Sequence, residues 1–433
     1  MRLSHWALAL SLAAFVSTVR GQDPTDKVQV YTLGRTNLSG FRVPAYSPET
    51  MAGARRNGLE FDDLPSVGSG LARIGANEFV GITDRGPNGT GGDDESKGRR
   101  TFPLPEFCPA MVKLILTNGQ IRVTGVIPLH DGQGRLLTGL STTEGEERLY
   151  ASADSPEPIP LDPDGVDPEA IRVLPDGRYV IGEEYSPSIL VVGKDGRVLV
   201  RYTPKNKPLV GASYPVRAIL PAVFAERRIN KGFENLALSP DGKWAYAILQ
   251  SPMGDVHEPR YAESRVHRVL KLEMANPLEA KVARENLALA DAADSYAGKQ
   301  KQQKIHWSDA DWLAPDRLLV IERGKSETRL LILDLSRATN ILGRPEESTL
   351  GFEDATRRLT EQGVMAAEPR QVWSTRSRPE FDGEKLEGLA ILNPNEVAIA
   401  NDNDFGIGEI PNGRPSRIWI VRLPAPLPLA EPR

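Results

Sequence analysis

The stretch that decides the fold is "EGLAILNPNEVAIANDND" at residues 387–404. An acidic residue opens it, a turn separates two short apolar runs, and acids and amides close it. Apolar runs of this length on either side of a turn predict a β-hairpin. Four other stretches repeat the pattern: "SGLARIGANEFVGITDRG" (69–86), "EAIRVLPDGRYVIGEEYS" (169–186), "ENLALSPDGKWAYAILQS" (234–251) and "DADWLAPDRLLVIERG" (309–324).

The five hairpins are far enough apart for each to belong to a larger sheet. Further strand-like runs lie between them, such as "SILVVGKDGRVLVRYT" at 188–203. Repeated four-stranded antiparallel sheets close radially into a β-propeller, which hides most strand edges. We therefore predict an all-β fold, a β-propeller of four-stranded antiparallel blades, with five blades counted and a sixth that could lie in residues 28–66 or 340–380. An open array of sheets is the alternative, and it would leave long unpaired edges.

Two end segments and several turns refine this prediction. "VQVYTLG" (28–34) is expected to pair with "SRIWIVRL" (416–423) and close the ring. Asn-Gly or Asp-Gly pairs between apolar runs favour hairpins with type I′ turns. These pairs lie at 118–119, 176–177, 195–196 and 241–242. Helical periodicity is scarce, and the best helical candidate is residues 346–362.

The chain divides into four predicted parts. Residues 1–21 read as a signal peptide, because a basic Arg2 precedes an apolar run at 6–16 and small residues follow it. A membrane anchor is the alternative, but the apolar run is too short to span a bilayer. Residues 22–64 form an N-terminal segment expected to close the ring, 65–423 the propeller domain, and 424–433 a proline-rich tail. We expect a protein exported to the periplasm or the extracellular space.

Charge and cysteine content exclude some classes of function. The formal net charge is −5, so there is no basic excess to neutralise nucleic-acid phosphates. No later segment has about 18 consecutive apolar residues, which argues against a membrane span. The single cysteine, Cys108, excludes an intrachain disulfide. We expect a monomer that binds a small anionic substrate or ligand, with no nucleic acid as partner.

Carboxylates at both ends of the hairpins point to a metal site. In a propeller the first strand of each blade begins, and the second ends, at the same mouth of the central channel. Several carboxylates at close range repel unless a cation neutralises them or some stay protonated. Hard cations such as Ca²⁺ bind several carboxylate and amide oxygens. The alternative is that these residues cap turns and solvate a rim. The opening positions are Ser69, Glu169, Glu234, Asp309 and Glu387, and the closing ones are Asp84, Glu184, Gln250, Glu322 with Arg323, and Asp402 with Asp404.

Basic residues near the same ends leave two interpretations open. Arg85, Lys231, Arg323 and Lys325 could anchor an anionic substrate, since guanidinium groups bind carboxylates and phosphates through two hydrogen bonds. They could equally pair with the neighbouring acids. The sequence contains no HExxH, no GxSxG and no GxxxxGK[ST] motif, so zinc-protease, serine-hydrolase and phosphate-loop chemistry lack their usual residues.

The ordered set of segments resembles a known family. "ITDRGPNG", "DPEAIRVLPDGRYVIGEEYSPSILV", "NKGFENLALSPDGKWAYAILQSP", "LLVIERG" and "LEGLAILNPNEVAIANDNDFG" together look like the phytase-like domain, also described as "esterase-like activity of phytase". The resemblance spans residues 65–423. It implies a secreted or periplasmic β-propeller that hydrolyses phosphoesters or esters, with calcium and basic side chains in an acidic funnel.

The resemblance also implies a set of site residues. The implied metal ligands are Asp84, Glu169, Glu234, Glu322, Asp402 and Asp404, and the implied catalytic residues are Glu184, Glu387, Arg85 and Arg323. Three positions depart from the family pattern. Ala170 and Asn235 replace the glycine that follows the acid, which Gly388 retains, and Gln250 replaces a glutamate. The loss of one carboxylate weakens the expected metal set.

Three hypotheses follow for function. In the first, Ca²⁺ in the funnel polarises a phosphoryl or carbonyl oxygen, Glu184 or Glu387 acts as general base, and Arg85 and Arg323 hold the anionic group. In the second, the same mouth belongs to a non-catalytic propeller of the cell envelope that binds a ligand. In the third, calcium is only a structural clamp.

Overall fold

Five four-stranded antiparallel sheets carry the fold of this computed structural model, which describes residues 28–36, 46–90, 99–143, 146–407 and 413–430. Blades are numbered in chain order. Blade 1 contains Gly70–Arg73, Glu78–Ile82, Ala110–Thr117 and Gln120–Pro128. Blade 2 contains Pro168–Val173, Tyr179–Glu183, Ser188–Val192 and Val198–Pro204, with Val216–Leu220 added in parallel at its edge. Blade 3 contains Phe233–Leu238, Trp244–Leu249, Val266–Glu273 and Lys281–Leu289. Blade 4 contains His306–Ala314, Arg317–Arg323, Thr328–Asp334 and Arg370–Ser374.

Blade 5 joins the two ends of the chain, as the sequence predicts. It contains Lys385–Asn393, Glu396–Asp402 and Arg417–Arg422 from the C-terminal part, and its fourth strand is Val28–Leu33. Val28 pairs with Val421 and Thr32 with Arg417, antiparallel. The N-terminal strand also makes a short parallel pairing with blade 1 at Thr32–Gln120, which joins both blades into one eight-stranded sheet.

The ring of blades is closed. The first strands of blades 1 to 5 neighbour one another in cyclic order, with blade 5 beside blade 1, and therefore surround the axis. Five apolar cores lie between successive blades, each built from the facing sides of two sheets. Trp307 in the core of blades 3 and 4 and Trp419 in that of blades 4 and 5 are almost fully buried. A propeller is therefore the architecture, and an open array of sheets is excluded.

The remaining elements are short. The helix Pro48–Arg56 begins after Ser47, whose hydroxyl oxygen accepts a hydrogen bond from the Thr50 N–H at 3.0 Å, and an N-terminal proline favours its first turn. A small sheet and several helical turns make up the rest. They are the strands Gly89–Thr90, Arg99–Thr101 and Arg148–Tyr150, the helix Pro259–Ala262, and the 3₁₀ turns Ala222–Glu226, Ala293–Ser295, Gln302–Lys304, Pro345–Ser348, Leu359–Gln362, Pro379–Phe381 and Asp404–Gly406.

Three local predictions need correction or completion. The predicted helix at 346–362 is wrong, since the helical structure in that stretch is limited to most of the 3₁₀ turn Pro345–Ser348 and the whole of the turn Leu359–Gln362. Within the described parts of 28–66 and 340–380, the chain supplies outer strands of blades 5 and 4 but no sixth sheet. The predicted signal peptide lies outside the described residues. Among the helices of the described residues, none is long and apolar enough to cross a bilayer.

The predicted hairpin turns form, but with two geometries. Asn118 and Gly119 both have positive φ (50° and 73°), as a type I′ turn requires. In the three Asp-Gly pairs only the glycine has positive φ, for example 85° at Gly177. There the glycine N–H donates back three residues, as Gly177 does to the Leu174 carbonyl at 2.8 Å. These hairpins are therefore type I turns followed by a left-handed glycine.

Candidate functional site

In blades 2 to 5, a β-bulge at the start of the inner strand leaves one residue unpaired at the mouth. In blade 5 the pairing passes from Leu386–Asn401 to Gly388–Ala400 and leaves Glu387 unpaired. Glu169 and Glu234 are skipped in the same way in blades 2 and 3. A bulge bends the strand and re-aims a side chain. These three glutamates are therefore equivalent by position, and we call them the glutamate cluster.

Blade 4 shows where the sequence alignment slips. Its skipped residue is Ser308, because the pairing passes from Trp307–Glu322 to Asp309–Ile321. Asp309, the opening position expected from the sequence, lies one residue further on and points elsewhere. A second bulge, between Trp312 and Ala314, adds a residue near the turn that blades 2 and 3 lack, so an alignment by turns selects Asp309.

The second strands end in an equivalent ring of side chains. One residue beyond the pair that lies just outside the bulge, blades 2 to 5 carry Glu184, Gln250, Arg323 and Asp402, and Asp84 follows the second strand of blade 1. Glu322 precedes Arg323 and belongs to the opposite side of the strand. Its Oε2 accepts from the Asp291 N–H at 2.9 Å and the Trp307 indole N–H at 2.6 Å, and its Oε1 accepts from the Tyr296 hydroxyl. The structure thus does not bring Glu322 to the other predicted ligands.

Three groups of carboxylates have ligand oxygens within 4.8 Å of one another. The first is the glutamate cluster, Glu169, Glu234 and Glu387. The second is Asp167, Glu169 and Glu184, and the third is Asp84, Asp402 and Asp404, which we call the aspartate cluster. Within the described residues, the structure therefore brings together eight different residues, since Glu169 belongs to two groups, and the sequence predicts seven of them. Asp167 was missed because it precedes the hairpin pattern by two residues.

The glutamate cluster has oxygens without partners. Glu169, Glu234 and Glu387 are 6%, 1% and 0% exposed, and within the described residues the Oε2 atom of each accepts no hydrogen bond. Unsatisfied buried acceptors are costly. A hard cation that binds several oxygen ligands would give these oxygens a partner. The observation fits a metal and does not by itself identify one.

Burial and mutual repulsion keep protons on these groups when no cation is present. Burial, followed by Asp402 and Asp167, raises the pKa of Asp84. Burial, with Glu387 and Glu184 next, raises that of Glu234. For Glu184, burial raises the pKa to about 7 although Lys231 opposes the shift. A carboxyl with a pKa near neutrality can exchange protons at physiological pH.

Two cations neutralise one oxygen of Glu387. Arg323 donates from Nη2 to Glu387 Oε1 at 2.6 Å and from Nε to the Ser308 hydroxyl at 2.6 Å. Lys385 Nζ lies 3.3 Å from the same Oε1 atom. Both cations therefore engage Oε1 and leave Oε2 facing the other two glutamates. Lys231 Nζ lies 3.7 Å from Glu184 Oε1 and is partly exposed, so it faces the mouth.

Arg85 is buried and held on every side. Its Nε donates to the Gly139 carbonyl at 3.1 Å, its Nη2 to the Ser141 hydroxyl at 2.6 Å and its Nη1 to Asn230 at 3.0 Å. The guanidinium carbon lies 4.8 Å from the ring centres of both Phe102 and Tyr185. Its 3.6 Å ion pair with Asp167 fixes that carboxylate beside Glu169. The contacts give Arg85 the geometry of a residue that positions the acids.

The axis below the mouth is filled by an ion pair. Arg172 Nη2 donates to Asp309 Oδ1 at 2.9 Å. Arg172 also donates to inner-strand carbonyls of four blades, namely Leu71 at 2.8 Å, Ile171 at 2.6 Å, Ala310, and Leu389 at 3.4 Å. Only a side chain at the axis can reach four inner strands. Arg172 and Asp309 therefore occupy the propeller axis.

Fold and site together define a five-bladed β-propeller with a buried acidic centre at one mouth. The sequence matches the Phytase-like family, described as "Esterase-like activity of phytase", over residues 67–405. The chain belongs to this family, as its resemblance indicated.

Individual relatives are more distant. An uncharacterized secreted protein of Arthroderma benhamiae is 21% identical over 240 residues, covering 49% of this chain and 47% of that protein. The chain thus matches about half the length of this curated relative. Two solved structures match most of this chain and most of their own length. The PQQ-bound aldose sugar dehydrogenase of Streptomyces coelicolor is 12% identical, with a TM-score of 0.33. The match covers 92% of this chain and 98% of the dehydrogenase. The periplasmic gluconolactonase of Pseudomonas aeruginosa is 12% identical, with 83% and 89% covered and a TM-score of 0.32. No property is carried over from either.

Proposed function

We propose that the protein is an exported, calcium-dependent hydrolase of phosphoester or carboxyl-ester substrates, acting at the propeller mouth. The observation that carries the proposal is the set of three buried Oε2 atoms on Glu169, Glu234 and Glu387 that accept no hydrogen bond among the described residues. Membership of the phytase-like family and a secreted relative support the class of reaction and the location.

The glutamate cluster would hold the cation. A hard divalent ion there polarises a phosphoryl or carbonyl oxygen and lowers the pKa of bound water. The predicted ligands Glu169 and Glu234 keep that role, and Glu387 joins them through Oε2. Glu322 takes no part, because its oxygens are occupied by Asp291, Tyr296 and Trp307.

Glu184 is the proposed general base. Its pKa of about 7 allows it to accept a proton from water near neutral pH, and its Oε1 accepts no hydrogen bond among the described side chains. Lys231, 3.7 Å from that oxygen, stabilises the ionised form. Glu184 belongs to the ring of second-strand ends, so it stands beside the glutamate cluster without being one of its members.

Arg323 and Lys231 are the proposed contacts for the anionic group of the substrate. Arg323 is oriented by Ser308 and Glu387, which use Nε and Nη2, and within the described structure its Nη1 has no acceptor. The guanidinium can therefore offer a fixed N–H to a developing negative charge. Arg85 acts indirectly, by fixing Asp167 through the 3.6 Å ion pair.

The experiment is a hydrolysis screen of the purified protein with phosphomonoesters and carboxyl esters, after EDTA treatment and again after addition of Ca²⁺. We expect calcium to switch on hydrolysis, Glu387→Gln to abolish it, and Glu322→Gln to retain it. Calcium binding without turnover in either substrate class would contradict catalysis and support a ligand-binding propeller.

A further inference from the structure

The aspartate cluster differs from the glutamate cluster because it has no oxygen that is both fully buried and without a hydrogen-bond partner among the described residues. Asp84 Oδ1 accepts from the Gly86 N–H at 2.8 Å. Asp402 Oδ1 accepts from the Ser66 hydroxyl at 2.6 Å and from the Asp404 N–H at 2.9 Å. None of the three aspartates has a buried oxygen without a partner, whereas each member of the glutamate cluster has one. The glutamate cluster therefore needs an external cation more than the aspartate cluster does.

A lysine ammonium group lies at the aspartate cluster. Lys385 Nζ is 2.5 Å from Asp402 Oδ2, 2.9 Å from Asp404 Oδ1 and 3.3 Å from Glu387 Oε1. Three carboxylate oxygens from three residues thus converge on one nitrogen. Lys385 donates hydrogen bonds to Asp402 and Asp404, so the positive charge stands where the carboxylates of the cluster meet.

The fold fixes this lysine in two ways. Lys385 is the first residue of the inner strand of blade 5, and it pairs directly with Asp402 on the next strand, so their side chains are cross-strand neighbours. Asp404 is turned toward the same nitrogen by three successive left-handed residues, with φ of 46° at Asp404, 51° at Phe405 and 76° at Gly406.

That turn is unfavourable for side chains other than glycine and needs support from its surroundings. Phe405 supplies it. The ring is 1% exposed and packs edge-on against Phe107, with 5.1 Å between ring centres. The position of Asp404 beside the lysine is thus built into the packing of the mouth.

We propose that the Lys385 ammonium is the resident cation of the aspartate cluster, so that the protein binds no divalent ion at Asp84, Asp402 and Asp404. The divalent ion of the proposed function is then confined to carboxylates around Glu169. This inference deepens that proposed function, since it locates the ion within the mouth, and it reassigns three ligands predicted from sequence. Removal of the ammonium should therefore create an ion site.

The experiment counts calcium ions bound per chain by equilibrium dialysis. We expect Lys385→Met to bind one ion more than the wild type, and Asp84→Asn added to that variant to remove the gained ion. Lys271→Met is the matched control, because its ammonium is paired with Asp316 at 2.7 Å and with no member of the three carboxylate groups. It should leave the count unchanged.

Two results would overturn the inference. One is an equal count in the wild type and in folded Lys385→Met. The other is the loss of an ion from Asp84→Asn in the otherwise wild-type protein, a measurement that does not need Lys385→Met to fold. A failure of the proposed function would be seen separately: Glu234→Gln would then bind as many calcium ions per chain as the wild type.

Discussion

Arg172 of blade 2 and Asp309 of blade 4 form an ion pair across the propeller axis, with 2.9 Å between Nη2 and Oδ1. Both side chains are buried, at 6% and 0% exposure. The guanidinium also satisfies carbonyls of inner strands. One residue therefore ties together the strands on which the mouth residues are mounted.

Arg172→Met should destabilise the protein by about 3–5 kcal/mol, because it leaves Asp309 as a buried carboxylate without its partner. Arg178→Met is the control, since its pair with Asp176 is partly exposed and such pairs contribute at most about 1 kcal/mol. Chemical denaturation measures both. Equal effects of the two substitutions would contradict the role given to Arg172.

Gly388 keeps the inner strands of blades 5 and 1 close together. A Cβ atom there would lie 2.9 Å from the Leu71 Cβ and 3.0 Å from the Gly68 carbonyl oxygen. Gly388→Ala should therefore lower the free energy of unfolding by about 1–3 kcal/mol. Gly34→Ala, where a Cβ would meet nothing within 4 Å, should change it by less than about 1 kcal/mol. Similar melting temperatures for both variants would refute the close-approach argument.

The pH dependence of the calcium-free protein follows from the raised carboxyl pKa values. Burial raises the pKa of Glu184 from 4.5 to about 7, and burial together with Asp402 raises that of Asp404 from 3.8 to about 8. Because the folded state holds these protons more tightly than the unfolded state, stability is full below the unfolded pKa values and is lost as pH rises through the folded ones.

We therefore expect the melting temperature in EDTA to fall between about pH 4 and pH 8, and the fall to be smaller for Glu184→Gln. Saturating Ca²⁺ should raise the melting temperature at the upper end of this range, since the ion of the proposed function would bind the deprotonated oxygens of Glu169, Glu234 and Glu387. A melting temperature that rises over this range in EDTA would contradict the assignment.

Ring closure by Val28–Leu33 can be tested by truncation. A chain that begins at residue 28 keeps the fourth strand of blade 5, and a chain that begins at residue 34 exposes the edge Arg417–Arg422. We expect the shorter chain to melt at lower temperature and to aggregate, because an unpaired edge strand promotes association. Light scattering during a thermal melt compares them. Identical behaviour would show that closure contributes little.

The blades could be predicted from the sequence because each contains a hairpin of two apolar runs with its own turn residues. It also found the closing strand, since an unpaired apolar run at each end of a propeller has one obvious partner. It missed the helix Pro48–Arg56, which is short and only partly apolar.

The site was predicted less completely, and bulges are the main reason. A bulge shifts every later side chain to the other face. Bulges in the first strand of blade 4 leave Ser308 rather than Asp309 unpaired at the mouth, and alternation along the second strand directs Arg323 there rather than Glu322. Lys385 and Asp167 precede the hairpin pattern, and Arg172 lies within it at a position to which the pattern gives no role. Tertiary contacts link all three residues to the site. No spacing of residues in the sequence predicts such contacts.

The most direct test of the central claim is calcium binding measured by titration calorimetry at neutral pH on the wild type, Glu234→Gln and Glu322→Gln. We predict binding by the wild type, affinity weakened by at least about tenfold in Glu234→Gln, and little change in Glu322→Gln. Absence of binding by the wild type, or equal affinity in the wild type and Glu234→Gln, would contradict a cation centre built on Glu169, Glu234 and Glu387.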